Sequence, residues 1–158
     1  MKTFDDISDL VQVTHRITTA GQPTLEQLEA VADQGYTLVV NLGKHDADYA
    51  VADEAGWVAQ LGMDYVNIPV DFTAPDLADL TRFLNAMNLH HGEKCFIHSS
   101  GNKRATVFVS LYQIIANEIT PEEGWLHVNS VWEPDMEWTR FFNDAIKAFA
   151  NAVRSDAE

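Results

Sequence analysis

Lys94-Cys95-Phe96-Ile97-His98-Ser99-Ser100-Gly101-Asn102-Lys103-Arg104 is the stretch that decides the fold. Residues 94–98 read as a short buried strand, with Gly92 just before it. Residues 99–103 hold two serines, a glycine, an asparagine and a lysine, too few and too polar to form a core. From Arg104 to about position 116, Val107, Phe108, Leu111, Ile114 and Ile115 recur at helical spacing. Successive backbone N–H groups at such a strand-to-helix turn point inward and form an anion-binding nest. The helix behind adds its unsatisfied N–H groups and the positive end of its dipole. Arg104 supplies a planar fork that can hold two phosphate oxygens, and Lys103 adds charge. The same pattern also occurs as a plain strand–helix connection. Neither a Walker pattern nor Gly-x-Gly-x-x-Gly is present, so nucleotide binding is poorly supported.

Outward from this unit, strands and helices alternate. An extended stretch at 10–13 leads through 14–19 into the turn Ala20-Gly21-Gln22-Pro23. Thr24 and Gln27 form a capping box for a helix over 25–34 that stops at Gly35. Residues 36–42 are almost continuously apolar and β-branched, as in a buried parallel strand. A helix over 50–61, a strand over 63–70, a loop over 71–75 and a helix over 76–89 follow. Beyond the central helix, Thr120-Pro121-Glu122-Glu123 is a helix start, and a last helix is predicted over 135–153. The fold class is therefore α/β, a mainly parallel sheet of four to five strands flanked by helices, with a C-terminal helical layer. Residues 1–158 read as a single domain.

Composition narrows the function. A net charge of −14 argues against nucleic acid or anionic lipid as partner, because both need a basic face. One local basic pocket can still hold a small anion, and the acidity itself reads as a solubility feature. Cys95 is the only cysteine, so no intramolecular disulfide forms. It lies nine residues before Arg104 and reads as a small buried hydrophobe. The first six residues are no secretory signal and no run approaches a membrane span, so a soluble, cytoplasmic protein is expected. His15, His45, His90, His91, His98 and His127 show no metal-ligand spacing, and no cofactor is called for. His90 and His91 are expected to meet the last carbonyls of their helix. Lys44, His45 and Asp46 follow a strand and so reach the sheet edge that carries the loop, where Lys44 is a candidate pocket residue. Trp125, Trp132 and Trp138 read as core. Trp132-Glu133-Pro134 reads as a helix–helix corner from which Glu133 is a candidate to approach the loop.

The loop resembles the motif of the cysteine-dependent protein tyrosine phosphatase superfamily, in which a strand ends in His-Cys and an arginine opens the next helix. More narrowly, residues 10–145 resemble small bacterial phosphatase-like proteins related to the phosphatase-like domain of the beta-lactamase-hydrolase-like proteins. The matching residues are Ala20-Gly21-Gln22-Pro23-Thr24, Val39-Val40-Asn41-Leu42, Tyr65-Val66-Asn67-Ile68-Pro69-Val70-Asp71-Phe72, the loop with Arg104-Ala105, and Trp132-Glu133-Pro134. The common superfamily spacing of five residues puts His98 at the cysteine position. The narrower family's spacing of four puts Ser99 there. The second register keeps the strand-terminal histidine and aligns Leu111-Tyr112 without a gap, which favours Ser99 as the nucleophile position.

The resemblance implies a thiolate that attacks phosphorus and a cysteinyl-phosphate that water hydrolyses. A nest lowers a cysteine pKa to roughly 3.5–7.5, but the same field cannot ionise a serine hydroxyl. His98 precedes Ser99 directly, and adjacent side chains at a strand end point to opposite sides, so it is expected to support the loop. The expectation is a retained phosphate site with little or no turnover. Ser99 is either natural or a cysteine-to-serine trap. Asp71 is the candidate general acid and Asp76 the runner-up, although Asp76 also reads as a helix N-cap. The expected site is thus Ser99, Arg104 and Asp71 for catalysis, and Ser99, Ser100, Gly101, Asn102, Lys103 and Arg104 for phosphate. His98, Lys44 and Gln22 are in support, Gln22 with no derived role. Expected partners are phosphate, sulfate or a phosphorylated small molecule or protein, with neither nucleic acid nor membrane. Competing readings are a non-enzymatic phosphate-recognition module and a rhodanese-like sulfur transferase, which needs the missing cysteine and gains nothing from Asp71. Few basic residues beside the loop weigh against highly phosphorylated lipids.

Overall fold

The computed structural model describes residues 3–44 and 46–151. Five strands form one sheet: β1 (Val11–Gln12), β2 (Ile17–Ala20), β3 (Leu38–Asn41), β4 (Asp64–Asn67) and β5 (Cys95–His98). Their order is β1-β2-β5-β3-β4, parallel except for β1, which pairs antiparallel with β2. The last strand in sequence is therefore the central one. His98 at its end sits opposite Ala20 on one side and Asn41 on the other. The loops after β2, β3 and β5 consequently emerge side by side at the carboxyl edge, where ligands bind in open parallel sheets.

Helices cover both faces: α1 (Leu25–Asp33), α2 (Glu54–Gln60), α3 (Leu77–Leu89), α4 (Lys103–Ile115), α5 (Pro121–Val131) and α6 (Met136–Ala148). Side chains alternate along each strand with a period of two. Leu38, Val40, Cys95 and Ile97 face a core shared with α3, α4, α5 and α6. Val39 and Phe96 face a second core with α1 and α2. α4 is buried all along, from Arg104 to Ile114, as befits a helix sandwiched between the sheet and other helices. Both capping boxes read from the sequence are present, Thr24 with Gln27 and Thr120 with Glu123. Among the described residues no helix is long and apolar enough to cross a membrane.

The structure corrects several boundaries. Residues 17–20, read as the approach to a turn, are a fully buried strand. Its two threonines hid it, because their hydroxyls are satisfied inside, Thr18 by Tyr36 and Thr19 by Asn102. The helix expected from position 50 begins only at Glu54, because Asp53 is left-handed, with φ 54°. The strand expected over 63–70 is formally 64–67. Pro69 cannot donate, yet Ile68 and Val70 still bond to Asn41 and Leu42 at 2.9 and 3.0 Å. The last helix ends at Ala148, and positions 152 and 153 lie outside the described residues. His90 meets carboxylates rather than helix carbonyls, with Nδ1 3.1 Å from Glu93 and 3.8 Å from Asp64. His45 also lies outside the described residues.

Candidate functional site

The turn between β5 and α4 is built around two left-handed residues. Asn102, with φ 66°, opens α4, and Asp9, with φ 54°, lies beside it on the N-terminal segment. The Asn102 amide is fully buried and donates to the Asp9 carbonyl at 2.9 Å and to Thr19 Oγ1 at 3.0 Å. Asn102 belongs to the expected phosphate set; its side chain ties α4 to β2, and its backbone forms part of the turn. Gly21 forms the opposite wall, where a Cβ would stand 3.0 Å from the Ser100 carbonyl oxygen and crowd it.

Ser99 is the first residue past β5 and is buried. Its hydroxyl accepts the Ala105 N–H at 3.3 Å, and its own N–H donates to Ala20 at 3.2 Å. Lys103 and Arg104 occupy the first two positions of α4, where the helix offers their N–H groups no acceptor. Arg104 is 4% exposed, and its guanidinium is held from three sides. Nη1 donates to the Val70 carbonyl at 2.9 Å. Nη2 donates to Ser100 Oγ at 3.1 Å and Tyr49 Oη at 3.3 Å. The group lies 5.8 Å from the Tyr49 ring centre and 5.6 Å from that of Phe72, within cation–π range. Lys103 extends over Phe72 and Trp132, at 5.9 and 5.6 Å.

A cavity of about 470 Å³ opens over this turn, lined by Lys44, Tyr49, Asp71, Phe72, Ser100, Gly101, Lys103 and Arg104, with Ala47. Three cations thus converge in a chain of net charge −14. A groove of about 540 Å³ between α5 and α6 is larger, but its walls are mostly apolar and Glu122 is its only charged residue. Volume therefore does not identify the site here; the convergence of charge does.

Asp71 lines the cavity and is exposed. Its Oδ1 accepts from the Thr73 hydroxyl at 2.8 Å and the Thr73 N–H at 2.9 Å. Those bonds, with the charges of Lys44 and Arg104, hold its carboxyl below the usual range. In this arrangement it is ionised at neutral pH and has no proton to give. Asp76 caps α3, accepting the Ala78 N–H at 2.8 Å. Glu133 is exposed and does not line the cavity. Of the tryptophans only Trp138 is fully buried, and its indole N–H donates to the Phe72 carbonyl at 2.7 Å, anchoring the segment that carries Asp71. Cys95 starts β5, four residues before the turn, and burial pushes its thiol up to about 11.

His98 turns to the other face of the sheet, where Phe96 also points. Its Nε2 lies 2.6 Å from Glu54 Oε2. Gln22 joins there, donating through Nε2 to Glu54 Oε1 at 2.9 Å. Sequence reasoning missed Glu54 and Tyr49. Both sit in or next to the long connection after β3, and nothing in their spacing ties them to a loop some fifty residues on. Among the described residues no cluster of His, Cys, Asp and Glu could hold a metal.

Comparison with known proteins gives a consistent result. The family model described as a DSP-PTPase phosphatase fused to NAD+ kinase matches residues 2–147. A beta-lactamase hydrolase-like protein of Agrobacterium fabrum is 28% identical over 112 residues, which are 69% of this chain and 26% of that protein. The chain therefore spans about a quarter of that relative's length. A DUF442 protein of Shewanella putrefaciens CN-32, a candidate phosphatase, superposes with a TM-score of 0.85 at 28% identity, over 92% of this chain and 96% of that one. TpbA of P. aeruginosa, solved with phosphotyrosine in a cysteine-to-serine form, gives a TM-score of 0.69 at 15% identity over 90% and 91% of the two chains. That last likeness is one of fold alone.

Proposed function

The chain belongs to the family of DSP-PTPase phosphatase domains fused to NAD+ kinase, and from that premise we propose that it binds phosphate monoesters at the turn between β5 and α4 with little or no turnover. Arg104 carries this reading. It is buried under the turn, aimed at Ser100, and joined by Lys44 and Lys103 at one cavity. An entering phosphate replaces Ser100 Oγ and Tyr49 Oη as partners of the fork, while Val70 keeps the guanidinium in place.

Ser99 stands where the superfamily places its nucleophile. Two observations support that register over the one that starts from His98. The Ser99 hydroxyl sits under the first turn of α4, and His98 is committed to Glu54 on the far face. Among the described residues no base is hydrogen-bonded to that hydroxyl, which accepts the Ala105 N–H. Asp71 serves as general acid only if its bonds to Thr73 break, which returns its carboxyl toward the ordinary range. The recognition-module reading and the impaired-hydrolase reading share this binding site and differ only in residual turnover. A phosphorylated small molecule or protein fits it.

The test restores the thiol. Calorimetry should show phosphate and vanadate binding to the chain as it stands and loss of both in Arg104→Ala. The Ser99→Cys protein should hydrolyse an aryl phosphate that the serine form leaves intact. An inert cysteine form, with no oxyanion binding by either protein, sinks the proposal. A serine form turning over at an ordinary enzymatic rate, roughly 1–10³ s⁻¹, sinks its catalytic half.

A further inference from the structure

The buried carboxylate behind the turn is unexplained by phosphate binding. Glu54 is the first residue of α2, 5% exposed, and lies on the side of the sheet away from the cavity. Both of its oxygens are satisfied, Oε1 by Gln22 and Oε2 by His98. The neighbouring Tyr65 hydroxyl is pushed up to about 12, by its own burial first and by the proximity of Glu54 second. An anion site gains nothing from a negative charge set behind it, so its place calls for another reason.

The geometry supplies one. His98 is wholly buried, the last residue of β5, and the immediate predecessor of Ser99. A carboxylate 2.6 Å from Nε2 fixes the proton on that nitrogen and fixes the plane of the ring. Among the described residues Nδ1 is buried with no hydrogen-bond partner, so the bond to Glu54 orients the imidazole, with the Phe96 ring packed 6.2 Å away. The backbone around Glu54 is arranged to bring it inward. Asp53 adopts φ 54°, and Gly56 leaves the space its carboxylate fills, a Cβ there standing 2.6 Å away. Asp53 is one of four left-handed non-glycine residues among those described, with Asp9, Asn102 and Asn117, and it immediately precedes Glu54. Such backbone persists where the surroundings hold it, typically at functional sites.

We propose that Glu54 is the positioning residue of the phosphate turn: its buried carboxylate locks His98, and His98 holds the strand end from which Ser99 and the anion-binding N–H groups depart. The inference rests on the phosphate-binding reading above. It makes a prediction opposite to simple electrostatics. Glu54→Gln removes a negative charge near an anion site, which by Coulomb's law tightens binding. If Glu54 positions the turn, the same change loosens it.

The experiment uses the full chain, inorganic phosphate as probe, and the imidazole N–H signals of ¹H–¹⁵N NMR. In the unchanged protein His98 Nε2–H should give a downfield signal that moves as phosphate saturates. Glu54→Gln should lose the downfield position and bind phosphate about tenfold more weakly, a drop of about 1.4 kcal/mol. Equal or tighter binding by that variant overturns the proposal while leaving the phosphate site standing. Should the variant not fold, the unchanged protein decides: a His98 signal unmoved by saturating phosphate overturns it. An unchanged protein that binds no phosphate overturns the underlying reading and this one with it.

Discussion

Asp71 and Arg104 meet at the same cavity with opposite charge, and the Asp71 carboxyl is ionised there. A bound phosphate dianion must share Lys44, Lys103 and Arg104 with it. Removing that competitor by Asp71→Asn should therefore tighten phosphate binding a few-fold, and the gain should shrink as salt screens it. Titration calorimetry at low and high ionic strength reads both; an unchanged affinity would place Asp71 out of the ligand's reach. Cys95 makes a separate prediction. Its thiol is pushed from 9.0 up to about 11 by burial. The folded protein then holds this proton where the unfolded chain releases it, so the stability it contributes is complete below pH 9 and is lost between about 9 and 11. Tyr36 and Tyr65 are raised as well and carry the same sign. The urea midpoint should fall across that window, and Cys95→Ala should flatten the fall. A thiol that reacts quickly with a disulfide reagent at pH 7 in the folded protein would contradict the burial argument.

At the scale of elements, α4 is both the centre of the core and the floor of the site. Its start is fixed by Asn102, whose left-handed backbone and buried amide join the helix to β2 and to Asp9. Asn102→Ala strains the backbone and strips Thr19 and the Asp9 carbonyl of a donor. A loss of about 1–3 kcal/mol is expected in chemical denaturation, together with weaker phosphate binding. A variant of unchanged stability would mean that the turn is held by other contacts. The sequence placed Asn102 in the phosphate loop through the backbone of the turn; the partners of its side chain were not legible there.

Across the whole molecule, the C-terminal helical layer reaches the site through Trp132 and Trp138, which pack on Phe72. Trp138 on α6 packs against Phe72, Phe108, Trp132 and Phe141, and its N–H holds the Phe72 carbonyl next to Asp71. Trp138→Phe keeps a large apolar ring but drops that bond. Amide exchange over residues 71–74 should rise while that of β3 and β5 stays slow; exchange unchanged over 71–74 would show the segment to be held elsewhere. Much of this architecture was legible in the chain. The apolar run of β3, the helical spacing in α3 and α4, the capping boxes and the strand–turn–helix unit with Arg104 are local signals, set by periodicity and by backbone groups that must find partners. They sufficed for the α/β class and for a polar strand-to-helix turn at the carboxyl edge of its sheet. β2 was missed because its threonines look polar until Tyr36 and Asn102 satisfy them. The meeting of β5 with β2 and β3 was not legible either, because strand order is a choice among non-local pairings. That order brings Lys44, Tyr49 and Phe72 to Arg104 and sets Glu54 against His98. The sequence by itself determined the strand–turn–helix unit and the arginine that opens its helix. Only the tertiary structure decided what surrounds them, because hydrogen bonds and charge contacts between residues 30 to 90 positions apart exist only once the sheet has formed.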